Sequence, residues 1–395
     1  MNNYLLVINA GSSSIKFAVY QRDEPSYQLV ADATGQVEGI GNQPKLSVKV
    51  SRLADLVEQN LALDDVHDHT SAINSICSWL KDYLTDGSLL AVGHRVVHGG
   101  QHYSTPVLID AKVLTDLKNL IPLAPLHQPH SLAAIYAFQE ILPSLPQVAC
   151  FDTTFHRTQP AVAQRFAIPR RYFDEGVRHY GFHGLSYEYI ASVLPTLDPL
   201  LASARIIVAH LGNGASLCAI HKGRSIATTM GFSPLDGLVM GTRCGSLDPG
   251  VMLYLMAQYG MDAHVLEQLL YHESGLLGVS GISSDLPTLL TSDAPHAQEA
   301  IELFVYRVGL EIGSLTAALG GLDALVFTAG IGEHSADVRR KICASAAWLG
   351  LKLDNSANEI GQTKISPPNS KVTAWVVPTD ENRMIALHTL SILRS

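Results

Sequence analysis

Cysteine is scarce in this 395-residue chain: Cys77, Cys150, Cys218, Cys244 and Cys343 are odd in number, widely spaced and form no CxxC pair. That spacing excludes a disulfide framework and a cysteine-based zinc site, and it fits a reducing compartment. Basic residues are short as well. The 27 Lys and Arg stand against 36 Asp and Glu, a net charge of −9, and they form no block. A nucleic-acid backbone or an anionic membrane surface therefore finds no electrostatic footprint, so no nucleic-acid or membrane partner is expected. Any anionic ligand must be met by a few local cations. Long apolar runs are missing too: the longest uncharged stretch, Asn119 to Gln139, carries Pro122, Pro125, Pro129, His127 and His130, a poor membrane span. The first residues, MNNYLLVINAGSSSIKF, have no basic segment ahead of a short apolar run, unlike a secretory signal. A cytoplasmic protein is expected.

What is present is ample apolar surface, 47% of residues, on a length that calls for two to three domains. Strands alternate with helices. Residues 4–9 form a continuous apolar run, read as a buried central strand, and Ile15, Phe17 and Val19 alternate as its partner. The AGSSS turn of residues 10–14 joins them. The same arrangement recurs at RIIVAHLGNGASLCAI, where Ile206–His210, a Gly/Asn turn and Ser216–Ile220 superpose when Gly11 is aligned with Gly212. Two similar α/β halves are implied, with chance similarity of two hairpins as the alternative. Asp248 and Pro249 open a helix closed by Gly260; Ile301 to Leu319 spaces its apolar residues by three and four up to Gly320-Gly321; Ser335 and Asp337 open a helix that stops near Gly350. Thr379 is expected to cap a last helix with Asp380 and Glu381 in its first turn. Symmetry places a boundary near residue 150, giving domains over 1–150 and 151–382, with 383–395 packing back on the first.

Familiar phosphate loops are absent: there is neither GxxxxGK[ST] nor GxGxxG before a helix. The two hairpin turns replace them, since Gly and Ser let backbone N–H groups approach phosphate oxygens while Ser12, Ser13 and Ser14 add hydroxyls and Lys16 a cation. GIGE at 330–333 follows the apolar strand ALVFTA and reads as a Gly-rich turn before the Ser335 helix, an anion or nucleotide edge. Arg95 in GHRVVHGG and Arg243 in MGTRCG suit a bidentate clamp on carboxylate or phosphate, with a structural salt bridge as the bland alternative for each. His94, His98 and His102 recur every four residues, but Gly99-Gly100 breaks any helix that would align them, so a metal is not assigned. His183 between glycines in YGFHG is either a donor to developing negative charge or a satisfied core histidine. Asp152 sits where a strand's carboxyl end puts site residues in α/β folds. Glu381 either complements its helix dipole or joins Asp152 in holding Mg²⁺ through waters.

The segments NAGSSSIKF, GHRVVHGG, LAPLHQP, FDTTFH, YGFHG, HLGNGAS, GLVMGTR, GISSD, FTAGIGE and PTDEN occur in this order over residues 9 to 382. Together they resemble the acetate kinase family, within the acetate and sugar kinase, Hsp70 and actin superfamily. The resemblance implies an α/β fold of two similar ribonuclease H-like domains around a central cleft that closes during the reaction, and a homodimer. It implies reversible transfer of the γ-phosphoryl group of ATP to acetate, giving acetyl phosphate and ADP, with Mg²⁺ or Mn²⁺ as cofactor. On that likeness Arg95 holds the substrate carboxylate, while Val97, Leu126 and Phe182 form a small pocket for its methyl group. Ser12, Ser14, Lys16 and His210, Leu211, Gly212, Asn213 and Gly214 match phosphate positions; Asn9 and Glu381 match magnesium positions. Asp152 matches the acidic catalytic position, and His183 and Arg243 match the transition-state stabilisers. Gly330, Ile331, Gly332, Glu333 and His334 match the adenosine segment, to which Asp285, Leu286 and Pro287 belong.

Several residues depart from the usual pattern: Gln128 for Asn, Leu185 and Tyr187 for Thr and His, Ser246 for Asp, Leu286 and Pro287 for an aromatic and an Arg beside the adenine, His334 for Asn, and Asn382 for Glu. Those at 286, 287 and 334 imply weak discrimination between ATP and GTP. Acetate is already ionised at neutral pH, so positioning and charge neutralisation outweigh base catalysis. A propionate or short-chain acyl kinase is the nearest rival reading, and a slowly hydrolysing, ATP-gated binding protein is the rival from another class.

Overall fold

Each apolar run that precedes a Gly-rich turn opens a sheet. The computed structural model describes residues 2–22, 28–51, 56–62, 64–85 and 87–394. The chain forms two compact units, residues 1–154 with 380–395, and residues 155–379.

In the first unit, strands β1 (Asn2–Ala10), β2 (Ser14–Arg22), β3 (Leu29–Glu38), β4 (Lys45–Val50), β5 (Leu56–Asn60), β6 (Gly87–Val96), β7 (Val107–Leu108) and β8 (Gln147–Phe151) lie in the order β5-β4-β3-β2-β1-β6-β8-β7. The β1 to β5 portion is an antiparallel meander, and β6 and β8 join β1 as parallel neighbours. In the second unit, β9 (Arg205–Leu211), β10 (Ala215–His221), β11 (Arg224–Thr228), β12 (Ala324–Thr328) and β13 (Thr373–Val376) run β11-β10-β9-β12-β13. Again the first three are antiparallel and the last two parallel to β9. Thus β3-β2-β1-β6-β8 and β11-β10-β9-β12-β13 share one order and one set of directions, the ribonuclease H-like arrangement. The duplication seen at two hairpins extends through five strands of each sheet. The hairpin turns differ by one residue: Ala10 faces Ile15, whereas Leu211 faces Ala215.

Apolar side chains on both faces of β1 explain why it is central. Tyr4, Leu6 and Ile8 pack with Ile73, Ile76 and Leu80 of the helix His69–Tyr83 and with Phe138 of the helix Gln128–Ile141. The helix Glu381–Ile392 packs on β1, β6 and β8. Its approach to β6 is close: a Cβ on Gly93 would collide with Thr389 Oγ1 and Ile385 Cγ2. Burial of Tyr187, Ile190, Ile206, Val208, Val326 and Trp375 forms the corresponding core of the second unit.

Local signals set the helix ends. Asp248 accepts from Gly250 N and Gly260 takes the left-handed conformation after Tyr259; Gly320 does the same after Leu319. Ser335 caps Ala336–Ser345, and a short 3₁₀ turn carries the chain on to Gly350. Two expectations are corrected. The cap of the last helix is Asp380, accepting from Arg383 N at 2.9 Å; Thr379 still belongs to the second unit, where its N–H and hydroxyl are taken by Glu333 and Ser186. The GIGE segment is no open turn: Ala329–His334 is itself a short helix, with Ala329 at φ 64 and Glu333 Oε1 accepting from Ala329 N at 2.7 Å.

Candidate active site

Three parallel strands of the first unit end side by side, and each delivers one polar residue. Asn9 lies near the end of β1, Arg95 near the end of β6, and Asp152 directly after β8. Register places Arg95 opposite Cys150 and Val96 opposite Phe151, so Asp152 emerges one residue beyond the last facing pair and its N–H bonds Val96 O at 3.1 Å. Arg95 points to the same face as Gly93, since side chains alternate along a strand. That face receives the C-terminal helix, whose Glu381, Ile385 and Thr389 form one stripe at i, i+4 and i+8. Contact of Ile385 and Thr389 with Gly93 therefore brings Glu381, one turn earlier, to 4.0 Å from Arg95 Nε. Asp152 and Glu381 both fall in the first unit, because the division lies at 154 and 379 and not at 150 and 382.

Arg95 is bidentate on Asp152: Nε lies 3.0 Å and Nη2 2.6 Å from Oδ2, while Nη1 donates to Asn9 Oδ1 at 3.2 Å. Asp152 is 1% exposed. Burial disfavours the guanidinium's charge, but Asp152 and then Glu381 outweigh it and hold its pKa above the ordinary arginine value. The salt bridge weighed as the bland reading of Arg95 is thus present. It does not exhaust the side chain: of five N–H donors, one on each Nη has no partner among the described residues. Oxygen donors from Asn9 and Glu381 suit a hard divalent cation such as Mg²⁺, which takes one or two protein oxygens and leaves room for phosphate.

Val97 follows Arg95 by two residues and is buried; Leu126 is half-buried just before the helix Gln128–Ile141. Buried Gln128 joins these segments, accepting from His98 N and donating to His98 O, both at 3.2 Å. Phe182, the third residue assigned to the methyl pocket, is buried in the second unit. In the GSSS turn, Gly11 N donates to Ser14 O at 2.8 Å and Lys16 faces Asn9 across the hairpin. Ser12 and Lys16 are exposed. His69, which nothing in its sequence context marked, bonds Gly11 O at 2.7 Å and stacks on His130. His94 and His98 serve the framework: burial drives both pKa values down to about 4, His94 Nε2 bonds Gln147 at 2.7 Å, and His98 Nδ1 accepts from Gly100 N at 2.9 Å.

In the second unit a cavity of about 740 Å³ gathers Gly212 and Asn213 from the β9–β10 turn, Asp285, Leu286 and Pro287, and Gly330, Ile331 and His334. Of its further lining, Met240, Gly241 and Ser284 lie in the GLVMGTR and GISSD motifs and Ser335 opens a helix, whereas Leu276, Leu290, Thr291 and Phe304 had no signal in isolation. Gly241 is required by shape: a Cβ there would collide with Asn213 Oδ1. His210, Leu211, Gly214, Gly332 and Glu333 do not line the cavity. Asp285 caps a short helix through Thr288 N at 3.1 Å, and Glu333 accepts from Thr379 N at 3.2 Å, so both carboxylates have local structural work.

Beside the cavity, Gly214 marks where the tips of two side chains converge. A Cβ on it would lie 3.4 Å from His183 Nε2 and 3.7 Å from Arg243 Nη1. His183 holds φ 57 and ψ 24 at the start of the helix Gly184–Leu197, and its ring stacks on His210 at 4.2 Å. Arg243 Nη1 also donates to Pro234 O at 3.0 Å. A cavity of nucleotide size thus ends in a Gly-Asn-Gly turn under two donors, a cradle for a chain of phosphates.

Residues 4–387 match the acetokinase family. The chain belongs to that family. An acetate kinase of Rhodopseudomonas palustris is 54% identical over 393 residues, 98% of each chain, and that of Rhizobium meliloti 50% over 389 residues, again 98% of each. Among solved structures, Porphyromonas gingivalis acetate kinase superposes with a TM-score of 0.87 at 39% identity, covering 99% of this chain and 100% of the other. A propionate kinase from Francisella tularensis gives 0.90 at 37% identity, covering 98% of each. As an acetokinase, the chain has the two-domain α/β fold of the actin and Hsp70 type, and it is a phosphotransferase acting on a carboxyl group.

Proposed function

We propose that this acetokinase transfers the γ-phosphoryl group of ATP directly to acetate, reversibly, forming acetyl phosphate and ADP. One observation carries the reading: the turn that closes the 740 Å³ cavity with Gly212 and Asn213 continues into Gly214, where His183 Nε2 and Arg243 Nη1 meet. A nucleotide in the cavity presents its terminal phosphate to those donors. On the first unit the two remaining N–H groups of Arg95 take the acid's carboxylate, and Val97 and Leu126 lie against its methyl group.

Acetate oxygen attacks phosphorus in line, the new O–P bond forms as the bond to the β,γ-bridging oxygen breaks, and ADP leaves with that electron pair. No proton need move, because a carboxylic acid is ionised near neutrality. What the chain supplies is alignment and neutralisation of two anions: Arg95 on the acid, Arg243 and His183 on the equatorial oxygens. Asp152 fixes Arg95 and is no general base. Ser12, Ser14 and Lys16, on the first unit's own hairpin, are donors suited to phosphate oxygens. Asn9 and Glu381 would hold Mg²⁺ or Mn²⁺, which would supply charge neutralisation at the phosphates.

Protein, MgATP, acetate and hydroxylamine mixed together test the reading: acetate-dependent hydroxamate is expected, whereas ATP loss independent of acetate would overturn it in favour of a nucleotide-gated switch. A propionate-directed reading is favoured by one observation, the similarity to the propionate kinase. Val97 decides between them. A pocket methyl group is worth roughly 1–3 kcal/mol, so Val97→Ala is expected to raise the propionate-to-acetate ratio of kcat/KM about tenfold. An unchanged ratio would remove Val97 from the pocket.

The cavity wall of Leu286, Pro287, Leu290 and Ile331 is apolar. Walls of this kind reject an isostere poorly, because no buried polar partner is left unpaired. KM values for ATP and GTP are therefore expected to fall within about tenfold of one another; a much lower KM for ATP counts against it. The helix Pro249–Tyr259 has no buried residue and exposes Leu253, Tyr254, Met256 and Tyr259. Such a face needs cover, and a second copy of the chain supplies it, giving a homodimer that sedimentation velocity would register by mass. No helix among the described residues is long and apolar enough to cross a membrane.

A further inference from the structure

Behind the donor at Gly214 lies a polar chain that the reaction scheme has not used. His183 Nδ1 is 2.8 Å from Ser216 Oγ, and Ser216 Oγ is 2.5 Å from the Tyr187 hydroxyl. Ser216 and Tyr187 are buried, at 0% exposure each. Ser216 sits on β10 two residues past Gly214, and Tyr187 sits one turn into the helix that His183 opens, so a strand and a helix bring two side chains onto one hydroxyl. The neighbouring ring is pinned in the same way: His210 Nδ1 bonds Ser186 Oγ, which bonds Thr379 Oγ1, each at 2.9 Å. Two stacked imidazoles, each held at Nδ1 by a serine that a second hydroxyl engages in turn, need more explanation than core packing gives.

From this arrangement we infer that Tyr187, acting through Ser216, is a positioning residue that keeps His183 in the tautomer with its proton on Nε2, facing the transferred phosphoryl group. The inference rests on the kinase reading of the site. Its chemistry is directional. The phenol is the more acidic of the two hydroxyls, so it is assigned as the donor to Ser216 Oγ. With the phenol's hydrogen spent on it, the buried serine satisfies its own hydrogen by donating to His183 Nδ1, which makes Nδ1 the lone-pair nitrogen. Nε2 is left as the N–H, and Nε2 is the atom that faces Gly214. Without the phenol, Ser216 is free to accept from Nδ1–H, and the reverse tautomer would present a lone pair to phosphate oxygens, repelling where it should donate. The left-handed backbone of His183 gives the ring no help of its own, since a non-glycine residue there is held by its surroundings.

Tyr187→Phe keeps ring and volume and removes only the hydroxyl. It is expected to lower kcat roughly tenfold, with KM for acetate and for ATP unchanged. The tautomer itself is read by ¹⁵N and ¹³C shifts of the His183 ring in the unliganded protein: Nε2–H in the wild type, a mixture of tautomers in Tyr187→Phe. In a His183→Ala background, Tyr187→Phe should cost nothing further, because the relay then has no terminus. Ser216→Ala must reproduce both changes and serves if Tyr187→Phe does not fold. Wild-type kcat in Tyr187→Phe, an unaltered tautomer, or a full additional loss in the His183→Ala background would each overturn the assignment. Absence of hydroxamate from the wild type would instead sink the kinase reading, and the ring shifts would still report on the relay.

Discussion

Arg95→Ala should lose on the order of 10³-fold in kcat, the scale of losing one preorganised donor to developing charge. The same change should also weaken the fold, because it strands Asp152, 1% exposed and bonded through both oxygens to the guanidinium. Breaking a buried pair from one side costs several kcal/mol; with Arg95 itself 22% exposed, about 3 kcal/mol is the expected loss of stability. A drop in activity alone would therefore not separate a substrate clamp from a structural tie. The double variant Arg95→Ala with Asp152→Asn does. Amidation removes the stranded charge, so thermal stability should largely return while kcat stays down. If kcat returns with stability, Arg95 only supports the strand ends and the acid is held elsewhere.

The partners of Arg95 show what a sequence can and cannot disclose. GHRVVHGG marks the arginine by its neighbours, but Asp152 lies 57 positions away and Asn9 lies 86. Their meeting depends on β6 running parallel to both β1 and β8, which no local pattern encodes. Glu381 is more distant still, and its arrival depends on Gly93: the glycine that begins GHRVVHGG, with no packing role marked in the sequence, admits the C-terminal helix and thereby sets where its first turn falls. Local signals, by contrast, were legible because their physics is local. Asp248-Pro249 and Gly260 bound a helix through caps that involve only adjacent residues. The two hairpins were legible through their turns, and they announced a duplication that the sheet orders carry through five strands each. Thr379 against Asp380 was beyond reach, since both are capable caps. The choice follows from Thr379 being claimed by Ser186 and Glu333, residues far off in sequence. In the nucleotide cavity the segments were readable one by one as Gly-rich or family-like, but the apolar walls from Met240, Leu276 and Phe304 emerge only when distant helices are packed together.

Arg243→Ala should match the loss at Arg95, on the order of 10³-fold in kcat. Arg243 donates to a backbone oxygen, that of Pro234, at 3.0 Å. The loop that carries it is fixed by backbone: Met240 N bonds Arg243 O at 3.1 Å, and Gly237, Gly245 and Gly275 hold left-handed conformations where a Cβ would strike main-chain atoms. A guanidinium mounted on such a frame needs no rearrangement as negative charge spreads over the equatorial oxygens, and that is the condition under which one donor is worth several kcal/mol. Because the bond is made chiefly in the transition state, kcat should fall while KM for ATP moves little. Arg243→Lys should recover only a small part of the activity, since a point charge cannot replace a planar fork whose Nη1 is already tethered to Pro234. Near-wild-type turnover in Arg243→Ala, or full recovery by lysine, would place the decisive charge elsewhere than at the Gly214 turn.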